Sequence, residues 1–322
     1  MRVWRYLLPV LVGLALVPAR AEPPSASELL QKMTEAAREL DYRGRLLYMH
    51  GGTLSTLELL RARLDGREHE RLTQLDGQLA EVIRRGEHVV CVHADQTITR
   101  LVNRQSVTPF GLNQRLGGDL PLQYQLLLDG DDRVAGRAAL RMRVVPLDGD
   151  RFGYRLWADQ DSHLLLKSEL VDGEGRALER LEFVSLDLAP ALTAADFEVP
   201  AALRERALDT LDANAHPSGR LAIQPGWLPA GFLEVDRDLR LTGDARQPVA
   251  AATFSDGLAA FTLFVETAGG QSEGASRLGP TVAVSRYYPV AEQQWLVTLV
   301  GEVPDATAER VLAGLQLGPR RD

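Results

Sequence analysis

Cysteine is almost missing from this 322-residue chain: Cys91 stands alone, so no intramolecular disulfide can form and stability must come from packing. Lysine is scarce too, with Lys32 and Lys167 against 34 arginines, and the even spread of that skew marks it as compositional rather than as an anion site. The chain has no Gly-x4-Gly-Lys and no Gly-x-Gly-x-x-Gly, which argues against a backbone cradle for nucleotide phosphates. It also lacks a Gly-x-Ser-x-Gly elbow, and neither lysine follows a serine at the spacing of a Ser-x-x-Lys nucleophile pair. Six histidines are present without a His-Glu-x-x-His pair, so no local zinc motif exists. These gaps point away from an enzyme and away from any bound cofactor.

What is present reads as a globular protein, with 45% apolar and 25% charged residues. The first 21 residues look like an export signal: Arg2 and Arg5 form a basic start, residues 7–17 are apolar, and Ala19-Arg20-Ala21 offers a cleavage site before Glu22. Eleven apolar residues interrupted by Pro9 fall short of the ~18–20 that a membrane span needs, so no span is expected in the mature chain. No cysteine follows the cleavage site to carry a lipid. The expected mature chain has 301 residues and a formal charge of −11, which disfavours nucleic acid and anionic bilayers as partners.

Ser25-Ala26-Ser27-Glu28 has capping-box spacing, and Leu29, Leu30, Met33, Ala36, Ala37 and Leu40 then recur at helical spacing, predicting a helix over about 27–40. From Tyr42 on, β-prone runs alternate with turn signals at Gly51-Gly52, Asp65-Gly66, Asp76-Gly77 and Arg85-Gly86, the rhythm of an antiparallel meander. Residues 102–129 break that rhythm and read as a loop leading into a short apolar helix at 120–128. Strands are expected again near 140–145, 154–157, 164–170 and 178–186. About ten strands cannot stay flat, so the sheet should curl or half-close into a barrel. The layout is therefore α+β: a signal at 1–21, a large curved antiparallel sheet domain at 22–200, a breaker-rich linker at 201–222, and a small domain at 223–322. The small domain is expected to be an antiparallel sheet with one helix over 304–317.

Local chemistry is sparse. Cys91 and His93 share a strand face but lack two further zinc ligands, and Asp129-Gly130-Asp131-Asp132 lacks the spacing of a calcium loop and reads as a turn. What remains is a curved sheet rich in aliphatic positions, Leu46, Tyr48, Leu57, Leu59, Val82, Val90, Val92, Leu156, Leu165 and Leu170, which together are the candidate lining of an apolar cavity.

Several segments, in order, carry a resemblance: Asp41-Tyr42-Arg43-Gly44, Glu70-Arg71-Leu72 with Leu75-Asp76-Gly77, and Glu81-Val82-Ile83-Arg84. Cys91, Phe152-Gly153-Tyr154-Arg155-Leu156-Trp157 and Gly226-Trp227-Leu228-Pro229-Ala230-Gly231-Phe232 complete the set. The chain resembles the RseB/MucB family of periplasmic regulators of the sigma-E (AlgU-type) envelope-stress factor. The resemblance implies a first domain similar to the lipoprotein carriers LolA and LolB, a half-barrel with covering helices. It also implies binding to the periplasmic part of an RseA/MucA-like anti-sigma factor, which is thereby shielded from regulated proteolysis and released when lipopolysaccharide or a related lipid binds. For the partner contact the candidates are aromatics of the small domain, Trp227, Phe232, Phe254, Phe261, Phe264, Tyr287 and Tyr288. A periplasmic lipid or lipoprotein carrier is the alternative, and homo-oligomer formation is left open. N-terminal sequencing of the exported protein should begin at Glu22; a membrane-retained product that keeps residues 1–21 would contradict the export reading.

Overall fold

The first helix starts where its capping signal predicts. Ser25 accepts from the Glu28 amide at 3.2 Å, the Glu28 carboxylate accepts from the Ser25 amide at 2.7 Å, and α1 runs Ala26–Glu39. The computed structural model describes residues 25–78, 80–102, 122–200, 203–205, 221–242 and 247–319. The expected export signal, residues 103–121 and most of the expected linker lie outside the described residues.

After α1 come β1 (Tyr42–His50), β2 (Thr53–Leu64), β3 (Arg67–Gln74), β4 (Glu81–Arg85), β5 (His88–Val92) and β6 (Thr97–Val102). Then follow β7 (Tyr124–Val134), β8 (Arg137–Pro146), β9 (Gly153–Asp159), β10 (Leu165–Val171) and β11 (Ala177–Leu188), a 3-10 turn at Ala194–Phe197, and β12 (Arg204–Glu205). These twelve strands form one open sheet in the order β12-β6-β5-β4-β3-β2-β1-β11-β10-β9-β8-β7. Every neighbouring pair is antiparallel except β12 with β6. The sheet curls into a half-barrel: Ala135, at the β7–β8 turn, and Leu186 of β11, four strands away in the sheet, pack against one and the same cluster.

The glycine turns set the register. Gly51 and Gly52 have φ of 57° and 80°, a two-residue hairpin that pairs His50 with Thr53 and carries β1 against β2 as far as Tyr42 with Arg61. Gly44 serves differently: a Cβ there would sit 2.4 Å from the Phe183 ring, so the missing side chain leaves the space Phe183 occupies. β2 is buried on both faces, with Leu57 and Leu59 in one cluster and Leu60 and Ala62 in another under Phe197 of the 3-10 turn. Arg61, also buried, donates to the carbonyls of Arg38 and Leu40 at 2.8 Å each and so ties the end of α1 to the sheet.

Two expectations for the larger domain need correction. Residues 124–128 are the start of β7 and not a helix, because pairing with β8 supplies their backbone hydrogen bonds, and a short leucine run has no periodicity strong enough to resist that. The acidic stretch 129–132 is a bulge inside β7 and not a turn: the register slips between Leu128 and Asp131, and Gly130 takes φ 90°.

The small domain holds β13 (Leu221–Pro225), β14 (Leu233–Thr242), β15 (Gln247–Ser255), β16 (Ala260–Thr267), β17 (Gly274–Leu278), β18 (Thr281–Val290), β19 (Gln293–Gly301), α2 (Asp305–Ala313) and β20 (Leu315–Pro319). Six strands pair in the order β14-β15-β16-β19-β18-β17, and β13 pairs with β20. The expected helix over 304–317 is shorter than foreseen. It stops at Gly314, and the chain turns out as a strand whose Leu315 and Leu317 pair with Pro225 and Ile223.

The β9–β10 turn is built on a buried carboxylate. Asp159 accepts from Arg137, from the Ser162 amide at 2.9 Å and from the Ser162 hydroxyl at 3.1 Å. Burial alone would raise its pKa, but the arginine and the Ser162 donors outweigh it and hold the carboxyl below its usual range. A lowered folded pKa gives stability that is fully present above the unfolded value and is lost as pH falls through the folded one. Asp159→Asn should therefore cost about 2 kcal/mol near neutral pH, and the difference from wild type should shrink as pH drops below about 4 in denaturant unfolding. An equal gap at pH 7 and pH 2 would contradict this.

Candidate functional site: the domain junction

Among the described residues, the aliphatic positions singled out in the sequence fall into separate packed clusters. Leu156, Leu165 and Leu170 pack with Leu29, Leu30 and Met33 of α1. Leu46, Leu57 and Leu59, with Tyr48 beside them, form a second cluster across β1, β2 and β11, and Val90 and Val92 belong to a third under Phe197. Val82, half-buried, lies opposite Leu72 and Cys91. Val92 also lines a cleft of about 220 Å³, together with Arg71, Glu81 and His93. His93 contacts the Thr99 hydroxyl at 2.8 Å. Among the described residues no group of three His, Cys, Asp or Glu is arranged to hold a metal ion.

The aromatic candidates of the small domain divide by face. Phe232, Phe254 and Phe261 are core residues, stacked at 5.5 Å and 5.4 Å between centroids. Trp227 packs on the edge of that core with the Arg310 guanidinium 3.8 Å from its ring centroid. Tyr288 also packs against the core and donates to the Leu312 carbonyl; burial raises its pKa to about 12. Phe264 points to the other face of β16, and Tyr287 donates to the Gln271 carbonyl; both keep accessible surface.

The densest chemistry lies where the two domains meet, at residues the sequence did not single out. Arg151 of the larger domain and Asp256 of the β15–β16 turn form an ion pair whose side chains are both 0% exposed. Each charge is satisfied several times over. Arg151 also donates to Asp148 at 3.0 and 2.8 Å and to the Ala230 carbonyl at 2.7 Å, and its guanidinium lies 5.5 Å from the Tyr124 ring and 5.3 Å from Phe232. Asp256 accepts the Tyr124 hydroxyl at 3.0 Å and the Leu258 and Ala259 amides at 2.8 Å each. Burial, and then the Asp256 carboxylate, push the Tyr124 hydroxyl well above its ordinary pKa, so it remains a donor.

Apolar contact crosses the same boundary. Leu258, 1% exposed, belongs to the cluster of α1, β7, β8, β9 and β10, not to the core of its own domain. Thr307 donates to the Asp150 carbonyl at 3.0 Å, and the β17–β18 turn comes so close to Gly51 that a Cβ on Gly279 would lie 2.7 Å from the Gly51 nitrogen. The local sequence explains why this went unread: Asp256-Gly257 is an ordinary hairpin signal, and Arg151 is 105 residues from its partner. Removing one charge of a buried pair strands the other. Asp256→Asn should thus lower the unfolding free energy by about 3 kcal/mol, and the double variant Arg151→Met with Asp256→Leu should recover much of it. A single variant as stable as wild type would show that the pair holds nothing.

The comparisons follow this two-domain plan. The profile of the MucB/RseB N-terminal domain matches residues 25–202, and that of the MucB/RseB C-terminal domain matches 219–316. The sigma factor AlgU regulatory protein MucB of Pseudomonas aeruginosa PAO1 is 36% identical over 318 residues, covering 96% of both chains. The sigma-E factor regulatory protein RseB of Escherichia coli K12 is 26% identical over 332 residues, covering 98% of each. A crystal structure of MucB in complex with MucA(peri) superposes with a TM-score of 0.72 at 33% identity, over 92% of this chain and 100% of that one. The chain belongs to the MucB/RseB family of sigma factor regulatory proteins.

Proposed function

We propose that this chain is a periplasmic negative regulator of an envelope-stress sigma factor, acting through the periplasmic segment of a membrane-anchored anti-sigma factor. By holding that segment it shields the anti-sigma factor from regulated proteolysis, and lipopolysaccharide or a related lipid relieves the hold. The observation that carries the reading is likeness over nearly the whole chain, in both domains, to a protein whose structure is a complex with MucA(peri). The two profile matches also support the division into a half-barrel domain at 22–200, a linker at 201–222 and a small domain at 223–322.

The physical basis is linkage. A lipid that favours one arrangement of the two domains and a peptide that favours another lower each other's affinity by the same factor. For the peptide contact we favour those aromatics that keep accessible surface, Trp227, Phe264, Tyr287 and Tyr288, since aromatic side chains make the best anchors. For the lipid we favour the apolar interior of the half-barrel, where Leu156, Leu165 and Leu170 lie under α1.

The test is a titration of the mature chain with the periplasmic segment of its own organism's anti-sigma factor, with and without lipopolysaccharide. Saturable binding that the lipid weakens is expected. Absence of binding in both conditions would overturn the reading, and lipid retained by the purified protein would then favour a carrier.

A further inference from the structure

Part of the sheet of the larger domain is bare on its outer side. Ala135 of the β7–β8 turn packs against the cluster of Leu46 and Phe183, so the side of β1 that carries Leu46 is the concave one and the opposite side is convex. Strand alternation puts Arg45, Leu47 and Met49 on the convex side, and the β1–β2 register sets Met49 opposite Leu54 and Leu47 opposite Thr56. The Leu75 amide donates to the Thr56 carbonyl at 2.8 Å, which brings Leu75 alongside on the same face. On the other flank β11 bulges against β1 between Arg45 and Leu46, and the extra residue there is Val184. Leu54, Leu75 and Val184 are exposed, with Leu47 and Met49 half-buried between them. Farther along this face of β2, Leu60 and Ala62 lie under Phe197 of the 3-10 turn, so the face is covered at that end and open at this one.

The charges around this aliphatic strip are unevenly exposed. Arg45 pairs with Glu58, Arg155 with Glu169 and Arg180 with Glu182, and in each pair the arginine side chain stands out further, 63% against 30%, 33% against 9% and 43% against 21%. Asp76, beside Leu75, is turned back to accept the Thr56 amide at 2.7 Å. An acidic chain therefore presents guanidinium heads around aliphatic tips on this one face. We propose that the convex face around Leu54, Leu75 and Val184 docks on the surface of a bilayer rich in anionic phospholipid, the aliphatic tips reaching the headgroup boundary and the arginines meeting phosphates. Shallow aliphatic insertion combined with basic charge is the chemistry of reversible surface binding. A protein partner fits less well: a convex face offers no groove, and the strip holds no Trp, Tyr or Phe, whereas hot spots are rich in aromatics and poor in Leu and Val. Net negative charge opposes approach from afar, but the arginines act within a Debye length of the headgroups, where they outweigh it. The bilayer stays outside the protein, so neither the half-barrel interior nor the anti-sigma contact enters the inference.

The experiment is co-sedimentation of the full mature chain with sucrose-loaded vesicles, made either of equimolar phosphatidylglycerol and phosphatidylcholine or of phosphatidylcholine alone, at low and at high salt. Wild type should pellet with the anionic vesicles, far less with the neutral ones, and less as salt rises. Leu54→Ser and Leu75→Ser should each weaken that binding about fivefold, and Arg45→Gln should do the same through charge alone. All three side chains are exposed, so the melting temperature should not move, and Arg45→Gln keeps the test open if a serine variant fails to fold. No pelleting, equal pelleting on neutral vesicles, insensitivity to salt, or equal binding by wild type and all three variants would each overturn the proposal. Protein that stays in the supernatant carrying lipid would show extraction into the protein rather than docking, and would overturn it too. If Leu54→Ser instead abolishes self-association or binding of the anti-sigma segment while leaving vesicle binding intact, the face belongs to a second copy or to the peptide, and the proposal falls.

Discussion

Two opposite charges with no exposed side-chain surface, Arg151 and Asp256, fix how the halves of this protein meet. Taking both out of water costs several kcal/mol per ion, and only a full set of partners offsets that cost. The partners come from four places: Asp148 beside Arg151, the Ala230 carbonyl from the entrance to the small domain, the Tyr124 hydroxyl at the start of β7, and the Leu258 and Ala259 amides of the β15–β16 turn. Any other arrangement of the domains leaves at least one of these groups buried and unpaired or returns the charges to water. The pair therefore specifies an arrangement more than it adds stability, and it makes that arrangement an all-or-none contact.

The open half-barrel gives this contact its meaning. A closed barrel would complete its own core, whereas a sheet running from β12 to β7 without closing needs covers. Here α1 covers one stretch, its end held by Arg61, the 3-10 turn with Phe197 covers another, and Leu258 fills the place that α1 leaves. The open side of the sheet is thus partly occupied from within. Under the proposed function, letting go of one ligand on binding another requires two states separated by a modest free energy, and a cover that belongs to a second domain can supply them.

Much of the architecture was legible because its signals are local. The capping box of Ser25 and Glu28 marked α1, and Gly51-Gly52 and Asp65-Gly66 marked hairpins whose glycines adopt the positive φ those turns need. Errors arose where a long-range partner decided the outcome. The leucine run at 126–128 becomes a strand because β8 is there to pair with it, and Leu315 leaves the helix because β13 is. The junction was illegible for the same reason. Nothing near Arg151 or Asp256 distinguishes them from the many surface charges of the chain, and Leu258 sits in a hairpin turn, where a leucine commonly meets solvent. Whole-chain resemblance supplied the family, but not these residues.

Amide hydrogen exchange of Leu258 and Ala259 in the full mature chain tests most directly whether this turn belongs to the core of the larger domain. Both amides are bound to Asp256 and lie under the junction, so they should exchange as slowly as the central strands of the half-barrel, at the rate of global unfolding. Exchange as fast as that of an exposed hairpin tip would show that the two domains are not joined at this point, and would contradict the account.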